Sequence, residues 1–524
     1  MVGGTMKADS RLLLGIDLGT SSVKVLLTTT DGPAAGRGTA EYDILIPGPG
    51  RAEQEPEAWW GAVRAAVARA LAGSDPRQIA AIGLSGQMHG TVLLDEGGLP
   101  LARAIIWPDQ RSGRQVDVLT GMIGRERLLQ IIGGPLATGF MAPTVRWIRD
   151  ERPELWARVR HAVSPKDYLR LRLTGELASE PSDGSGTALL DERRRDWSDE
   201  VLAAVGLTRD HLPPLRESAS LAGTLLPPAA ADLGLPPGIP VVTGAADTPC
   251  GMLGAGVVAP DAFLMTLSTG GQLAVPAAEV RIDPLGRTHT FCSALAPGGA
   301  SAGWYQMGAI LSAGLALRWL RDSILAVEGP DAYDRMTAWA AEAEPGAGGL
   351  VFLPYLVGER TPHMDPLARG VLLGLTSRHG RPEIVRAVLE GITLACLDAH
   401  RALGESGVRP SRMVLAGGGA RSPLWQQIVA DIFGLPVCRL ETDEQAAVGA
   451  VLLAGAGIGA FDPAETARTW ARYGPLVEPD AARHERYGEV GAIFRDAYRH
   501  LRDDFPRLHA IDDAAAGEGT PTAS

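Results

Sequence analysis

The sequence predicts an α/β chain organised as two large domains, and three observations carry that expectation. Apolar strand-like runs alternate with helix-spaced segments along most of the chain. Two glycine-hydroxyl turns, one in each half, each follow such a run. Finally, 524 residues exceed what one hydrophobic core ordinarily serves.

The elements read in order as follows. Leu13-Leu14-Gly15-Ile16-Asp17-Leu18 runs into Gly19-Thr20-Ser21-Ser22, and Val23-Lys24-Val25-Leu26-Leu27 is the returning strand of a hairpin closed by Asp31-Gly32. Behind Pro56, the segment Glu57 to Leu71 places Trp60, Val63, Val67 and Leu71 at helical spacing. Ile79 to Leu84 is a buried strand entering Ser85-Gly86-Gln87-Met88-His89-Gly90. Residues 194–240 are rich in Pro, Arg and Asp; after them Val241 to Ala246 delivers Asp247 at the end of a short apolar strand. The second turn is Ser268-Thr269-Gly270-Gly271, after Phe263 to Leu267. Glu383 to Cys396 is helical, Met413 to Ala416 a strand, Gly417-Gly418-Gly419 a turn, and Pro423 to Phe433 a helix. Gly455-Ala456-Gly457-Ile458-Gly459 lacks the spacing of a dinucleotide loop and reads as a helix terminus. The domain boundary falls near Gly254 to Pro260, which gives domains over 11–256 and 257–507. The stretch 508–524 ends in an Ala/Gly/Thr-rich run and is expected to be a disordered tail.

Composition narrows the function classes. A hydrophobic share of 45% with 21% charged residues is that of a soluble globular protein. The net charge of −12 opposes approach to nucleic acid or an anionic membrane, so neither is expected as a partner. Cys250, Cys292, Cys396 and Cys438 form no C-x-x-C pair and read as buried free thiols rather than a zinc site or a disulfide framework. Met1 to Ser10 has no apolar core of signal-peptide length, and no segment approaches the about 20 apolar residues of a membrane span. A cytoplasmic location is expected.

Glycine lets main-chain N–H groups approach a phosphate closely, and serine and threonine add hydroxyl donors. Two such turns suggest a nucleotide phosphate chain held between two related lobes, and hence phosphoryl transfer. Further segments sharpen this. Gly370-Val-Leu-Leu-Gly374-Leu375, followed after seven residues by Glu383-Ile384 and Ala387-Val388-Leu389-Glu390, fits a family signature throughout. With Gly86-Gln87-Met88-His89-Gly90, Pro165-Lys166-Asp167-Tyr168, Phe352-Leu353-Pro354-Tyr355 and Arg360-Thr361-Pro362-His363, the chain resembles the FGGY carbohydrate kinases, and among them most the bacterial xylulokinases. The likeness runs from about Leu12 to about Phe461 and continues more weakly to Arg507.

The resemblance implies a two-lobed actin/hexokinase-like (ribonuclease H-like) ATPase fold with a central cleft, ATP and Mg²⁺ as cofactors, and transfer of the γ-phosphoryl to D-xylulose, giving D-xylulose 5-phosphate. A homodimer is a family-based expectation. Asp247 is the candidate base; a carboxylate need only sit within hydrogen-bond reach of the attacking hydroxyl, since that proton becomes acidic as the bond to phosphorus forms. An Asp before Thr248-Pro249 would also serve as a helix N-cap. Asp17 is the metal-side acid, holding Mg²⁺ through water; the alternative, an Asx residue stabilising its turn, is less favoured because Gly19, Thr20 and Ser21 surround it. Met88 and His89 match the family's sugar-contacting pair, with Gln87, Asp109, Asp247 and Thr248 as further sugar contacts. Gly19, Thr20, Ser21 and Ser22, then Ser268, Thr269 and Gly270, would grip phosphate. Gly418, Gly419, Arg421 and Ser422 match the adenosine loop, with Arg421 over adenine. His363 and Asp365 beside two prolines are expected as loop contacts, and Trp59 and Trp60 as core.

Several positions depart from the pattern. Thr248 and Pro108 each stand where Asn is usual, Pro143-Thr144 replaces Pro-Lys, and the second turn differs from Leu-Gly-Thr-Ser-Gly. Thr248 and Pro108 lie where a sugar would be read, so they bear on which sugar is used rather than on transfer itself. The alternatives are a kinase for another ketose or polyol (ribulose, a sugar acid or a tetritol), or a catalytically weak nucleotide-binding regulator on the same scaffold.

Overall fold

The computed structural model describes residues 11–32, 34–298, 302–405, 407 and 409–517. Two compact units result. The first comprises Met1–Pro260, Pro276–Gln306 and Glu444–Arg472; the second comprises Asp261–Val275, Met307–Asp443 and Tyr473–Ser524. This differs from a contiguous division at 256/257, and the reason is packing: the helix Gln445–Gly457 lies on the sheet of the first unit.

That sheet has seven strands: β1 (Leu12–Leu18), β2 (Ser22–Thr29), β3 (Ala34–Glu41), β4 (Ile79–Gly86), β5 (Leu221–Thr224), β6 (Pro240–Val242) and β7 (Ala245–Ala246). Their order is β5-β6-β4-β1-β2-β3, with β7 also on β4. β1 and β2 form the antiparallel hairpin expected from the sequence, and β4 runs parallel to β1. Register then decides the site. Asp17 of β1 stands opposite Ser85 of β4, and Ser85 stands opposite Ala245 of β7, two residues before Asp247. Three strand ends from distant sequence thus finish side by side.

The helix Gln445–Gly457 can lie on this sheet only because two glycines face it. Gly15 and Gly83 are register partners. A Cβ at Gly15 would sit 2.5 Å from the Ala447 carbonyl oxygen, and one at Gly83 would sit 1.9 Å from that of Ala450. The helix answers with small residues of its own: Gly449 meets the Cys250 carbonyl on the helix Asp247–Gly254. On β3, Gly36 and Gly38 admit the backbone of the helix Pro56–Ala70, whose Trp59 and Trp60 are core residues as expected.

The second unit repeats the theme. Strands β8 (Ala262–Leu267), β9 (Gly271–Ala277), β10 (Trp304–Ile310), β11 (Arg412–Ala416), β12 (Val437–Leu440) and β13 (Tyr473–Val477) run in the order β10-β9-β8-β11-β12-β13. Again an antiparallel hairpin, β8–β9, carries a glycine-hydroxyl turn, and again its first strand has a parallel neighbour, β11. The expected 383–396 helix extends over Arg381–Glu405, and Glu390 of the family signature accepts from Arg386 Nε (2.8 Å) and the Tyr487 hydroxyl (2.6 Å) inside the core. Its role is to hold that helix.

The expected tail is partly structured. Phe505–Gly517 is a helix, so 508–517 corrects the expectation, and 518–524 lie outside the described residues. No described helix is long and apolar enough to cross a membrane.

Candidate active site

The first turn closes through Gly19 N–H to the Ser22 carbonyl at 3.0 Å. Its carbonyls are all claimed from behind. The Tyr42 hydroxyl donates to Gly19 O, Gln54 Nε2 donates to Thr20 O at 2.6 Å, and Tyr42 N–H donates to Ser21 O at 3.1 Å. Trp107 Nε1 donates to Thr20 Oγ1 at 3.0 Å. The turn is therefore held from behind by residues of its own unit. The second turn is built likewise: Ala313 and Leu315 N–H groups donate to Thr269 O at 3.0 and 2.9 Å, and Gly314 N–H to Ser268 O at 2.8 Å. Ser268 and Thr269 themselves are exposed.

Asp17 is buried at the end of β1 and accepts from Ser85 Oγ at 2.8 Å. Burial pushes its carboxyl above the ordinary range, with the Ser85 hydroxyl and Lys24, its partner on β2, pulling the other way. Asp247 follows β7 as the first residue of the helix Asp247–Gly254, so it is not the N-cap; Ala246 holds that position. Its Oδ1 accepts from Thr248 N–H at 2.7 Å. The residue keeps some surface, yet its carboxylate is closely surrounded. Burial, then the negative charge of Asp17, pushes its pKa up to about 7. A carboxyl whose proton affinity is raised by burial and by a second carboxylate is typical of sites where charge is managed.

The Gly86–Gly90 loop leaves β4 directly above the helix Pro165–Thr174. A Cβ at Gly86 would lie 2.7 Å from Lys166 Cβ, and one at Gly90 would lie 2.7 Å from Pro165 Cγ. These glycines are thus demanded by the chain's own packing. Met88 is buried, and its sulfur accepts from the Tyr305 hydroxyl at 3.6 Å. His89 sits at φ 72°, a conformation costly outside glycine that is typically retained where a side chain must be aimed. Its ring stacks on Phe140 at 4.2 Å, and Nδ1 lies 2.7 Å from the Gly186 carbonyl. A carbonyl only accepts, so Nδ1 carries hydrogen and Nε2 of the neutral ring is an acceptor. Gln87 is fully buried, and its Oε1 has no partner among the described residues.

Helix Pro181–Gly186 joins these features, since Ser182 Oγ accepts the N–H of Ala246 at 3.1 Å while Gly186 holds His89. Beneath it lies a buried charge cluster. Lys166 Nζ is 2.6 Å from Asp167, 3.5 Å from Asp183 and 3.8 Å from Glu180, and Lys166 and Arg170 both reach the Thr243 carbonyl. Burial drives the Asp183 carboxyl well above its usual range, against the pull of Lys166.

Other expectations change. Both oxygens of Asp109 are taken: Oδ2 accepts from Ala52 N–H at 2.8 Å and Arg111 Nη2 at 2.7 Å, Oδ1 accepts from Arg111 Nε at 2.8 Å, and the residue is 1% exposed. It anchors its loop rather than facing a sugar. Of the three glycines at 417–419, two are needed by the fold: Gly417 has φ 85°, and a Cβ at Gly419 would meet Trp425 at 2.8 Å. Gly418 alone faces open space. Ser422 caps the helix Pro423–Phe433 through Trp425 N–H, and Arg421 is paired with Asp443 at 2.5 Å. Tyr355 with His363, and Tyr498 with Asp365, form a hydrogen-bonded aromatic cluster in the second unit. Gln54, Tyr42, Ser85, Trp107 and Ser182 were not singled out by sequence reasoning. Ser85 was within reach, as the position after the apolar run of β4.

A family model for the FGGY carbohydrate kinase N-terminal domain matches residues 12–254, and one for the C-terminal domain matches residues 274–458. The chain belongs to the FGGY family of carbohydrate kinases. It is 37% identical over 495 residues to the xylulose kinase of Escherichia coli K12, covering 94% of this chain and 99% of that one. Bacillus subtilis gluconokinase is 31% identical over 86% of this chain and 88% of its own length. A solved xyloylose kinase from Brucella ovis superposes with a TM-score of 0.86 at 35% identity, covering 96% of this chain and 100% of that one. The FGGY kinase therefore has the two-domain actin/hexokinase-like fold expected of it, and uses ATP to phosphorylate a carbohydrate.

One buried group of this FGGY kinase makes its stability pH-dependent. Glu192 is fully buried; its Oε2 accepts from Ser185 Oγ at 2.9 Å and lies 3.3 Å from Cys292 Sγ. Burial pushes its pKa from 4.5 up to about 8. The folded state thus keeps the proton longer than the unfolded chain, so stability falls as pH rises from about 4.5 to about 8 and is level above. Glu192→Gln mimics the protonated form. Thermal denaturation should find it equal to the parent at pH 5 and more stable at pH 8.5, by on the order of a few kcal/mol; a gain independent of pH would contradict this.

Proposed function

We propose that this kinase transfers the γ-phosphoryl of ATP to the primary hydroxyl at the phosphate-accepting end of D-xylulose, giving D-xylulose 5-phosphate and ADP. The observation that carries the reading is the convergence of Asp17, Asp247 and the Met88-His89 loop on neighbouring strand ends of one sheet, in a chain similar to xylulose kinases over nearly its whole length. The sugar oxygen forms its bond to the γ-phosphorus as the bond to ADP breaks, and Asp247 takes the hydroxyl proton. At a pKa of about 7 a substantial fraction of Asp247 is ionised at neutral pH, and the base is well matched to its task. His89, aimed by Gly186 and Phe140, accepts from a sugar hydroxyl, and Met88 forms an apolar wall. In the first unit the Gly19–Ser22 turn offers backbone N–H groups and hydroxyls suited to phosphate; in the second unit the Ser268–Gly270 turn offers the same, Gly418 leaves room for an adenosine, and Arg421 can exchange Asp443 for an adenine face.

The donor set at Asp17 suits Mg²⁺, which takes few protein carboxylates and keeps water and phosphate oxygens. Among the described residues no three His, Cys, Asp or Glu side chains gather into a closed cage, so Asp17 would hold the ion through water. The ion would neutralise charge on the phosphates.

Likeness to a gluconokinase, with Thr248 and Pro108 at sugar-side positions, favours a sugar acid as the second reading. An ADP-release assay over D-xylulose, D-ribulose, L-ribulose, L-xylulose, xylitol, erythritol, glycerol and D-gluconate separates them. We expect kcat/KM for D-xylulose to exceed every other by about tenfold or more. A preference for gluconate or ribulose would keep the mechanism and reassign the sugar. Four buried free cysteines support the reading of a cytoplasmic enzyme. The homodimer rests on the family resemblance alone, and light scattering against the 55.0 kDa chain measures it.

A further inference from the structure

We infer that Gln54 is a positioning residue that ties the sugar loop to the first phosphate turn, so that each site feels whether the other is filled. The inference rests on the sugar-kinase reading above. Gln54 is 0% exposed and touches both elements with one amide. Its Nε2 donates to the Thr20 carbonyl at 2.6 Å; its Oε1 accepts from Gln87 Nε2 at 2.9 Å and from Trp59 Nε1 at 3.1 Å. Both lone pairs of that oxygen are used.

The amide has one workable orientation. Turned over, its NH₂ would face the Gln87 and Trp59 donors, and its oxygen would face the Thr20 carbonyl, so donors would meet donors and acceptor would meet acceptor. Nor can the side chain move away as a whole. Its backbone pairs with Ala104 in a short antiparallel bridge, and Trp59, which holds it, is 1% exposed in the core. A hydrogen-bonded strut thus runs from Thr20, whose hydroxyl is also held by Trp107, to Gln87. At the far end, Gln87 is fixed to the same hairpin by its N–H, which donates to Leu18 O at 2.8 Å. Its Oε1, buried and without a partner among the described residues, is an acceptor for a sugar hydroxyl. A hydroxyl bonded there narrows the residual motion of the Gln87 amide, hence of Gln54, hence of the Thr20 peptide plane. By reciprocity a phosphate on the turn favours the same alignment and tightens the sugar site by the same factor.

The test uses the intact enzyme, with β,γ-imido-ATP and Mg²⁺ as the nucleotide probe and D-xylulose as the sugar. Calorimetry gives nucleotide Kd with and without saturating sugar, and the ratio is the coupling. We expect a ratio of about fivefold or more in the parent and a ratio near one in Gln54→Met, while Kd for each ligand alone changes less than about threefold. Trp59→Phe removes one anchor of Gln54 and keeps the ring; it should give an intermediate ratio and stands in if Gln54→Met does not fold. An unchanged ratio in these variants, or a parent ratio of one in an enzyme that phosphorylates D-xylulose, overturns the inference. A parent that phosphorylates no sugar of the panel overturns instead the functional reading.

Discussion

Asp247→Asn is expected to lower kcat by about 10²- to 10⁴-fold, the usual contribution of a positioned general base, while nucleotide affinity stays within about twofold. The amide keeps the size of the carboxylate and its contact with Thr248 N–H but cannot take a proton. The pH profile carries a second signature. Asp247 must be ionised to act, and its pKa is about 7, so kcat/KM of the parent should fall as pH drops through 7 and level off above it. ADP-release kinetics from pH 5.5 to 9 measure both. Full sugar-dependent turnover in the variant would remove Asp247 from the mechanism, and no sugar-dependent turnover in the parent would favour the regulatory alternative.

Asp17→Asn is expected to cost about 10²- to 10³-fold in kcat, the scale for losing one preorganised electrostatic group at a reacting centre. It should also shift what remains. The charge of Asp17 is the second contributor, after burial, to the raised pKa of Asp247. With that charge gone, Asp247 ionises more readily, and the acidic limb of the profile moves to lower pH. The variant should be slower yet relatively more acid-tolerant, and should need more Mg²⁺ for half-maximal rate. An unshifted profile would show that the two carboxylates act independently.

Much of this site was legible as residues and little of it as an arrangement. The first hairpin and the second turn followed from apolar runs broken by glycine and hydroxyl residues, and Asp17, Met88, His89 and Asp247 stood out because their local motifs are distinctive. That Asp17, Ser85 and Ala245 stand in one row depends on strand register between segments far apart, which no local pattern encodes. Gln54 gave no signal, because a buried amide between two glutamates looks like surface. Asp109 misled for the opposite reason: a carboxylate in a suggestive motif is spent on Ala52 and Arg111. Gly419, matched to the adenosine loop, likewise pointed to a ligand, whereas Trp425 fills the space a side chain would need there. Sequence shows that something comes close to a glycine; only packing shows what.

The helix seated on Gly15 and Gly83 also sets an order of events during synthesis. The strands it covers leave the ribosome early, while the helix itself ends at Gly457. At ordinary elongation rates that interval is on the order of tens of seconds. Throughout it, the glycine-lined face beneath the future Asp17 site has no native cover. The first unit is thus completed late, by a piece of chain that arrives after most of the second unit has been made.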